Sequence, residues 1–250
     1  MTIFGVGLHV LVALFFAIHA IRSGQQMYWL MILFLFPGLG SIVYFFAIYL
    51  PGSKLQHGTR KAVTVAARTL DPNRELREAR AAFDYTPTAQ NQMRLAAAQL
   101  DAGDAAASAA TYEACLQGVF ASDLEIRYGA ARANVACRRY AAAIAHLEWI
   151  RARDANFRAE LIALLLAQAL AGAGRQAEAK VEFEAALARF GSFSARAEFA
   201  IWAASSGDFT LASELYPELQ KTMSHWSRQT RDINMPLIRR LNTAMELARR

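Results

Sequence analysis

The sequence has few of the residues and motifs that mark catalytic and metal-binding proteins. Its two cysteines, Cys115 and Cys137, have neither metal-ligand spacing nor further cysteine or histidine partners beside them. It contains no Gly-rich phosphate loop, no dinucleotide-binding glycine pattern, no H-E-x-x-H and no G-x-S-x-G. These absences exclude the common nucleotide-dependent, metalloprotease and serine-hydrolase classes. We therefore predict a protein that is not an enzyme, with no catalytic residue, no metal and no cofactor.

Charge is also unevenly distributed. Residues 1–51 contain one formal charge, Arg22, and residues 87–222 contain 13 basic and 15 acidic side chains. The net charge of +6 and the pI near 9.6 therefore arise from residues 52–86 and 223–250. A nucleic-acid-binding domain concentrates its cations on one face, often among aromatic residues, and the acidic middle of this chain has no such face. The composition predicts no nucleic-acid partner.

Two long apolar runs open the chain, residues 3–21 and 27–52, joined by a short polar connector that includes Arg22. Each run is long enough to cross about 30 Å of hydrocarbon as a helix. Residues 1–51 are accordingly predicted to form a two-pass transmembrane hairpin in a bacterial inner membrane. Cations follow the second run at Lys54, Arg60 and Lys61, which predicts contacts with lipid headgroups and places both termini in the cytoplasm.

The second run contains helix-breaking residues at its centre. Pro37, Gly38 and Gly40 interrupt it, and Ser41 follows as a side chain able to satisfy a freed backbone carbonyl. Small residues let helices approach closely, so these four positions predict a kinked helix–helix joint. Two histidines, His9 and His19, lie in the first run, and both a packing role and a functional role are compatible with the sequence.

The segment YWLMILFLFPGLGSIVYFFAIYLPG, with Pro37, Gly40 and Tyr44 in the pattern P-x-x-G-x-x-x-Y, resembles the N-terminal membrane hairpin of cardiolipin synthases and related phospholipase D-type proteins. Those enzymes act through paired H-x-K-x-x-x-x-D motifs. This chain has none, because His57 and His146 lack the following lysine. The resemblance therefore implies an anchor and transfers no catalytic residue.

The remainder of the chain is repetitive. Four similar segments begin at Gly103, Arg138, Gly174 and Gly207, at separations of 35, 36 and 33 residues, and each follows a helical stretch. This period predicts stacked helical hairpins with a tight turn at each of the four residues. Small residues recur five positions after the turn and large residues nine positions after it. The small residues are Ser108, Ala143, Ala179 and Ala212, and the large residues are Tyr112, Leu147, Phe183 and Tyr216.

This small–large pattern resembles the tetratricopeptide repeat, and with the apolar N-terminus it looks like an uncharacterised bacterial family of membrane-tethered tetratricopeptide-like proteins. The resemblance implies an all-α architecture, a transmembrane hairpin followed by an α-hairpin solenoid, and no activity. The predicted domains are residues 1–51 (hairpin), 52–86 (basic linker with a short helix), 87–222 (four divergent repeats) and 223–250 (a C-terminal helix). That last helix either caps the array or lies on lipid.

In such an array the first helix of each hairpin lines the concave surface. The repeat positions predict six partner-binding residues: Gln90, Met93, Glu125, Tyr128, Arg132 and Gln168. Met93 and Ala97 replace the Lys and Asn with which some tetratricopeptide proteins grip a peptide carboxylate. We predict a membrane-anchored cytoplasmic scaffold or assembly factor that binds a protein or peptide. The alternatives are a regulatory or lipid-sensing partner of a phospholipid-synthesising enzyme, and an unrecognised hydrolase.

Overall fold

The computed structural model describes residues 3–22, 28–45, 71 and 73–248. Across these ranges the regular structure is helical, without a β-strand, which confirms the all-α prediction. The chain divides into two units, Met1–Pro72 and Asn73–Arg250, which are considered separately.

In the first unit the described residues form the helices α1 (Ile3–Arg22), α2 (Tyr28–Leu35) and α3 (Pro37–Tyr44). Pro37 begins α3, since a proline lacks an amide hydrogen and its fixed φ suits the first turn of a helix. Gly40 lies against the end of α2: a Cβ at this position would be 2.6 Å from the carbonyl oxygen of Ile32. The described part of the second apolar run, residues 28–45, is therefore divided at Phe36 into two short helices and does not form one long kinked helix.

Tyr44 belongs to the buried core that α1, α2 and α3 share. Its side chain is fully buried, and its hydroxyl lies 3.1 Å from Nδ1 of His19. The rings of Phe16 and Trp29 each lie 5.5 Å from the Tyr44 ring, centroid to centroid. Ser41 is also buried. His19 thus has a packing and hydrogen-bonding role within the unit.

The predicted location in a membrane is wrong. Among the described residues, no helix combines the length and the apolar character that crossing a bilayer requires. α2 and α3 have eight residues each, about 12 Å at the rise of an α-helix, against about 30 Å of hydrocarbon. The prediction of a two-pass inner-membrane protein with both termini in the cytoplasm is corrected accordingly, and the transmembrane hairpin is unsupported. Lys54, Arg60 and Lys61, predicted to contact lipid headgroups, lie outside the described residues.

The second unit is a succession of antiparallel helices. These are α4 (Arg74–Tyr85), α5 (Ala89–Asp101), α6 (Ala105–Cys115), α7 (Leu124–Ala136), α8 (Tyr140–Arg153), α9 (Ala159–Gly172), α10 (Gln176–Phe190), α11 (Phe193–Ser206), α12 (Phe209–Ser224) and α13 (Arg228–Ala248). Helices α5/α6, α7/α8, α9/α10 and α11/α12 form the four hairpins, and each hairpin packs against the next. α4, inside the predicted linker, packs on α5 through the buried Ala79 and an ion pair between Glu75 and Arg94 (2.8 Å).

The tight turn between the helices of each hairpin has the same backbone geometry in all four repeats. The residues at this turn have positive φ angles: Gly103 (88°), Arg138 (63°), Gly174 (79°) and Gly207 (84°). In each case the following amide donates to the carbonyl five residues earlier, for example Asp104 to Gln99 at 2.9 Å and Arg139 to Asn134 at 2.8 Å. This is the Schellman motif, which satisfies the carbonyls at a helix C-terminus. The four turns predicted from the repeat period are confirmed.

The repeat positions also account for the core. The four small residues, Ser108, Ala143, Ala179 and Ala212, are completely buried between the helices of their hairpins. Of the four large residues, Tyr112, Leu147 and Phe183 are buried, whereas Tyr216 in the last hairpin is half-buried. Phe183 stacks on Phe199 of the following hairpin at 5.7 Å. Tyr112, Leu147 and Phe183 thus fill the space between consecutive hairpins, as a solenoid requires, whereas Tyr216 in the last hairpin lies against α13.

Candidate protein-interaction surface

The predicted binding residues lie on the first helices of successive hairpins. Gln90 and Met93 belong to α5, Glu125, Tyr128 and Arg132 to α7, and Gln168 to α9. In α11 the positions equivalent to Tyr128 and Arg132 are Ala197 and Ile201, because each precedes the small residue of its hairpin by the same number of residues. We call the surface formed by these eight residues the helix-A face.

The structure brings three of the six predicted residues together on α7. Arg158, at the start of α9, donates from Nη2 to both carboxylate oxygens of Glu125 at 2.9 Å. The Arg158 guanidinium also lies 5.2 Å from the centre of the Tyr128 ring. The exposed Arg132 guanidinium lies 5.9 Å from the centre of the same ring. The ring of half-buried Tyr128 therefore has two guanidinium groups within about 6 Å of its centre, the distance range of cation–π attraction.

The backbone of Arg158 is held in an unusual conformation. Its φ of 44° lies in the left-handed region that non-glycine residues rarely adopt. The preceding loop is fixed by Asp154, whose Oδ1 accepts hydrogen bonds from the amides of Asn156 (2.9 Å) and Phe157 (3.2 Å). A left-handed residue costs about 1–2 kcal/mol, and the bidentate pairing with Glu125 offsets part of that cost. Sequence reasoning did not identify Arg158.

The other three predicted residues lie on neighbouring helices. Gln90 is exposed on α5, and Met93 is half-buried against the core that contains Tyr112. Gln168 is half-buried on α9. Beside it, Leu161 on the same face of α9 leaves 47% of its surface exposed. The helix-A face thus combines exposed polar and apolar side chains around the Tyr128 cluster.

A polar network joins the first and second hairpins. Oε1 of Glu113 on α6 lies 2.8 Å from Nε2 of His146 on α8 and accepts a hydrogen bond from Asn134 Nδ2 at 3.1 Å. Nδ1 of His146 lies 3.4 Å from a guanidinium nitrogen of Arg127, and that guanidinium stacks 3.9 Å above the Trp149 ring. Helical spacing predicts that His146 and Glu148 point away from each other. It does not predict that His146 contacts Glu113, which belongs to the preceding hairpin.

The hydrogen bonds of this network define its chemistry. Arginine can only donate, so Nδ1 of His146 is the acceptor toward Arg127, and Nε2 faces the Glu113 carboxylate as the donor. Within the described residues, no buried side-chain nitrogen or oxygen lacks a hydrogen-bond partner. Both ring nitrogens of His146 are committed to neighbours inside the array. We therefore assign this network to the packing of the first two hairpins.

Burial affects two titratable groups near the helix-A face. It raises the pKa of Tyr112, while the positive charge of Arg132 acts in the opposite direction. Burial likewise raises the pKa of the Cys115 thiol, which favours the protonated form. In the ranges that the structure describes, no group of three histidine, cysteine or acidic side chains has an arrangement that fits a metal ion.

A cavity of about 220 Å³ lies between α8, α9 and α10. It is lined by Phe157, Ile162 and Phe190 and bordered by an ion pair between Arg151 and Glu182 (2.8 Å). Successive helix residues are separated by 100°, so Ile162 and Gln168 point to widely different sides of α9. The cavity is therefore separate from the helix-A face.

Comparisons with known proteins identify the fold. No protein-family model and no curated protein matches the chain. Among solved structures, MamA 41-end from Desulfovibrio magneticus RS-1 is similar with a TM-score of 0.54 and 14% identity, over 70% of this chain and 99% of that one. The MamA RS-1 ArsTM double mutant is similar with a TM-score of 0.52 and 15% identity, over 68% and 97% of the two chains. This likeness shows a tetratricopeptide-like helical solenoid.

Proposed function

We propose that the helix-A face binds a protein or peptide partner and that the chain acts as an interaction scaffold or assembly factor. The Tyr128 cluster carries this proposal. Binding energy in protein interfaces is concentrated in a few tyrosine, tryptophan and arginine side chains, and here Tyr128, Arg132 and Arg158 lie side by side on one surface. Stacked helical hairpins supply an extended surface of this kind without any catalytic group.

The rival functions have less support. The hypothesis of a regulatory or lipid-sensing partner of a phospholipid-synthesising enzyme was based on the N-terminal resemblance and the basic linker. No contact among the described residues favours this hypothesis. A hydrolase requires an acid–base group free to act on a substrate, whereas His146 is held between Arg127 and Glu113. The limits of the module, residues 87–222 with a C-terminal helix in 223–250, remain predictions.

Affinity purification of the full-length chain from its native host tests the proposal. The informative variants are Tyr128→Ala and Arg132→Ala, with Arg153→Ala as the matched control, because Arg153 is an exposed arginine at the end of α8. We expect the control to retain the same co-purifying proteins as the unmodified chain and the two helix-A variants to lose them. Identical sets of proteins from all four chains would refute the proposed binding surface.

A further inference from the structure

The C-terminal helix α13 lies across the helix-A face of α11. Arg240 of α13 donates two hydrogen bonds to the carboxylate of Glu198 on α11, at 2.7 and 2.9 Å. Only 11% of the Glu198 side chain remains exposed. At the other end of the contact, the Trp226 ring, just before α13, meets the Phe193 ring of α11 at 4.4 Å. The predicted capping helix therefore packs chiefly on the first helix of the last hairpin.

Apolar residues complete this contact. Leu241 and Met245 of α13 are buried in one core with Ala197 of α11, and Ile201 packs against that core. Ala197 and Ile201 occupy the positions that Tyr128 and Arg132 hold in the second hairpin. The fourth hairpin thus has its helix-A face already filled by an amphipathic helix, with an apolar stripe over small residues and one ion pair at its edge.

The same face of α7 is open in the part of the chain that the structure describes. Arg132 is exposed, and no carboxylate there lies within ion-pair distance of it. Glu125 is held by Arg158, and Asp101 on α5 makes no ion pair with Arg132. Apolar surface is available on the Tyr128 ring, 5.9 Å from this cation, and on the neighbouring helix α9 at Leu161, which is 47% exposed. Arg132 occupies the position of Ile201 on α11, three residues beyond the equivalent of Glu198, so the charged group beside the apolar surface of α7 differs from that of α11 in both sign and position.

We infer that the partner presents an amphipathic α-helix with a carboxylate at the edge of its apolar stripe, and that this helix docks over α7 and α9. The inference deepens the proposed function and rests on it. The apolar stripe packs on Tyr128 and Leu161, as Leu241 and Met245 pack on α11, and the carboxylate pairs with Arg132. A second copy of α13 is a poor occupant, because its Arg240 would face the Arg132 guanidinium.

Binding of designed peptides to the full-length chain, followed by fluorescence anisotropy, tests this inference. The main probe is a peptide of about 18 residues, long enough to form a helix, with leucines along one face and glutamates beside them. Three companions have lysine in place of glutamate, a proline at the centre, or the chain's own sequence 228–248. We expect the glutamate peptide to bind and each companion to bind at least about tenfold more weakly: the lysine peptide loses one charge-assisted contact, the proline breaks the helix, and peptide 228–248 brings Arg240 toward Arg132.

Variants assign the binding to Arg132. Arg132→Glu is expected to lower the affinity for the glutamate peptide about tenfold and to raise the affinity for the lysine peptide, whereas Arg153→Glu is expected to leave both affinities unchanged. Equal binding of the proline or lysine peptide to the unmodified chain, or stronger binding of peptide 228–248, would overturn the inference. If those peptides bind and Tyr128→Ala abolishes their binding, the proposed function stands and the helical acidic partner is rejected. If no peptide binds in a way that depends on Tyr128 or Arg132, both are rejected.

Discussion

Replacing Gly129 by alanine should destabilise the array, although alanine is the best helix former. Gly129 lies within α7, and a Cβ there would be 2.4 Å from both Cε1 and Cζ of the Tyr112 ring and 2.9 Å from Cδ1. Tyr112 leaves only 6% of its surface exposed, so its ring has little room to move. The close approach of α6 and α7 therefore depends on the missing side chain.

Two opposing effects determine how much Gly129→Ala changes the free energy of unfolding. Overpacking of a filled core costs about 1–3 kcal/mol, and the contacts at Gly129 place this case at the upper end. A helical alanine regains about 1 kcal/mol over glycine. We expect a net loss of about 2 kcal/mol in the free energy of unfolding. Replacing Tyr112 by leucine, the residue at the equivalent position 147 of the next repeat, removes Cε1 and Cζ, so in that background Gly129→Ala should be neutral or stabilising.

Urea unfolding of the four chains of this double-mutant cycle, followed by circular dichroism, measures the coupling. Gly172→Ala is the control: its Cβ would also lie close to a ring, 2.3 Å from Tyr140, but Gly172 is exposed and Tyr140 only half-buried, so the ring can move aside at lower cost. The reasoning is refuted if Gly129→Ala stabilises the unmodified protein, or if its effect is the same with Tyr112 and with leucine.

Three further predictions concern the turn, the C-terminal helix and pH. Arg138→Gly should raise the free energy of unfolding by about 1 kcal/mol, because Arg138 alone among the four turn residues bears a side chain at positive φ. Gly174→Ala should lower it by about as much, and urea unfolding curves in which the two substitutions do not shift the free energy in opposite directions would contradict this. Arg240→Ala should lower the free energy of unfolding by about 1–2 kcal/mol, because it leaves the covered Glu198 carboxylate without its partner. The same urea unfolding measures this loss, and an unchanged midpoint would show that α13 is held by apolar contacts alone. Burial raises the pKa of Tyr112 above its usual value of 10.0. The stabilisation that the protonated Tyr112 contributes is therefore complete below about pH 10 and is lost as pH rises through the folded-state pKa. Tyr112→Phe should flatten the fall of the urea midpoint at alkaline pH, and an equally steep fall in this variant would refute the assignment to Tyr112.

The repeat array is the part of the fold that the sequence predicts best. Each hairpin is closed by local interactions, so its turn, its small residue and its large residue recur at fixed separations and identify the unit. Arg138 was recognised as the turn residue although it is not a glycine, because its separations from the neighbouring turns match the period. The same register grouped Glu125, Tyr128 and Arg132 on α7 as predicted binding residues, and that role remains a prediction.

The errors arise where hydrophobicity was used without backbone geometry or distant contacts. Apolar length alone favoured one long second helix, but Pro37 divides it into α2 and α3. The apolar stripe of α13 predicted a covering helix, yet it fits the face of α11 as well as the side of α12, and sequence does not distinguish them. Glu113 and His146 are 33 residues apart, and only the stacking of two hairpins brings them together.

Site-specific photo-crosslinking in the native host tests the central claim most directly. A photoreactive amino acid is placed in the full-length chain at Gln168, on the helix-A face, and in a second chain at Val181, 65% exposed on α10. The account predicts a crosslinked protein partner from position 168 that is lost when Tyr128→Ala is added, and no such partner from position 181. Equal crosslinking from both positions, or crosslinking at 168 that survives Tyr128→Ala, would contradict it.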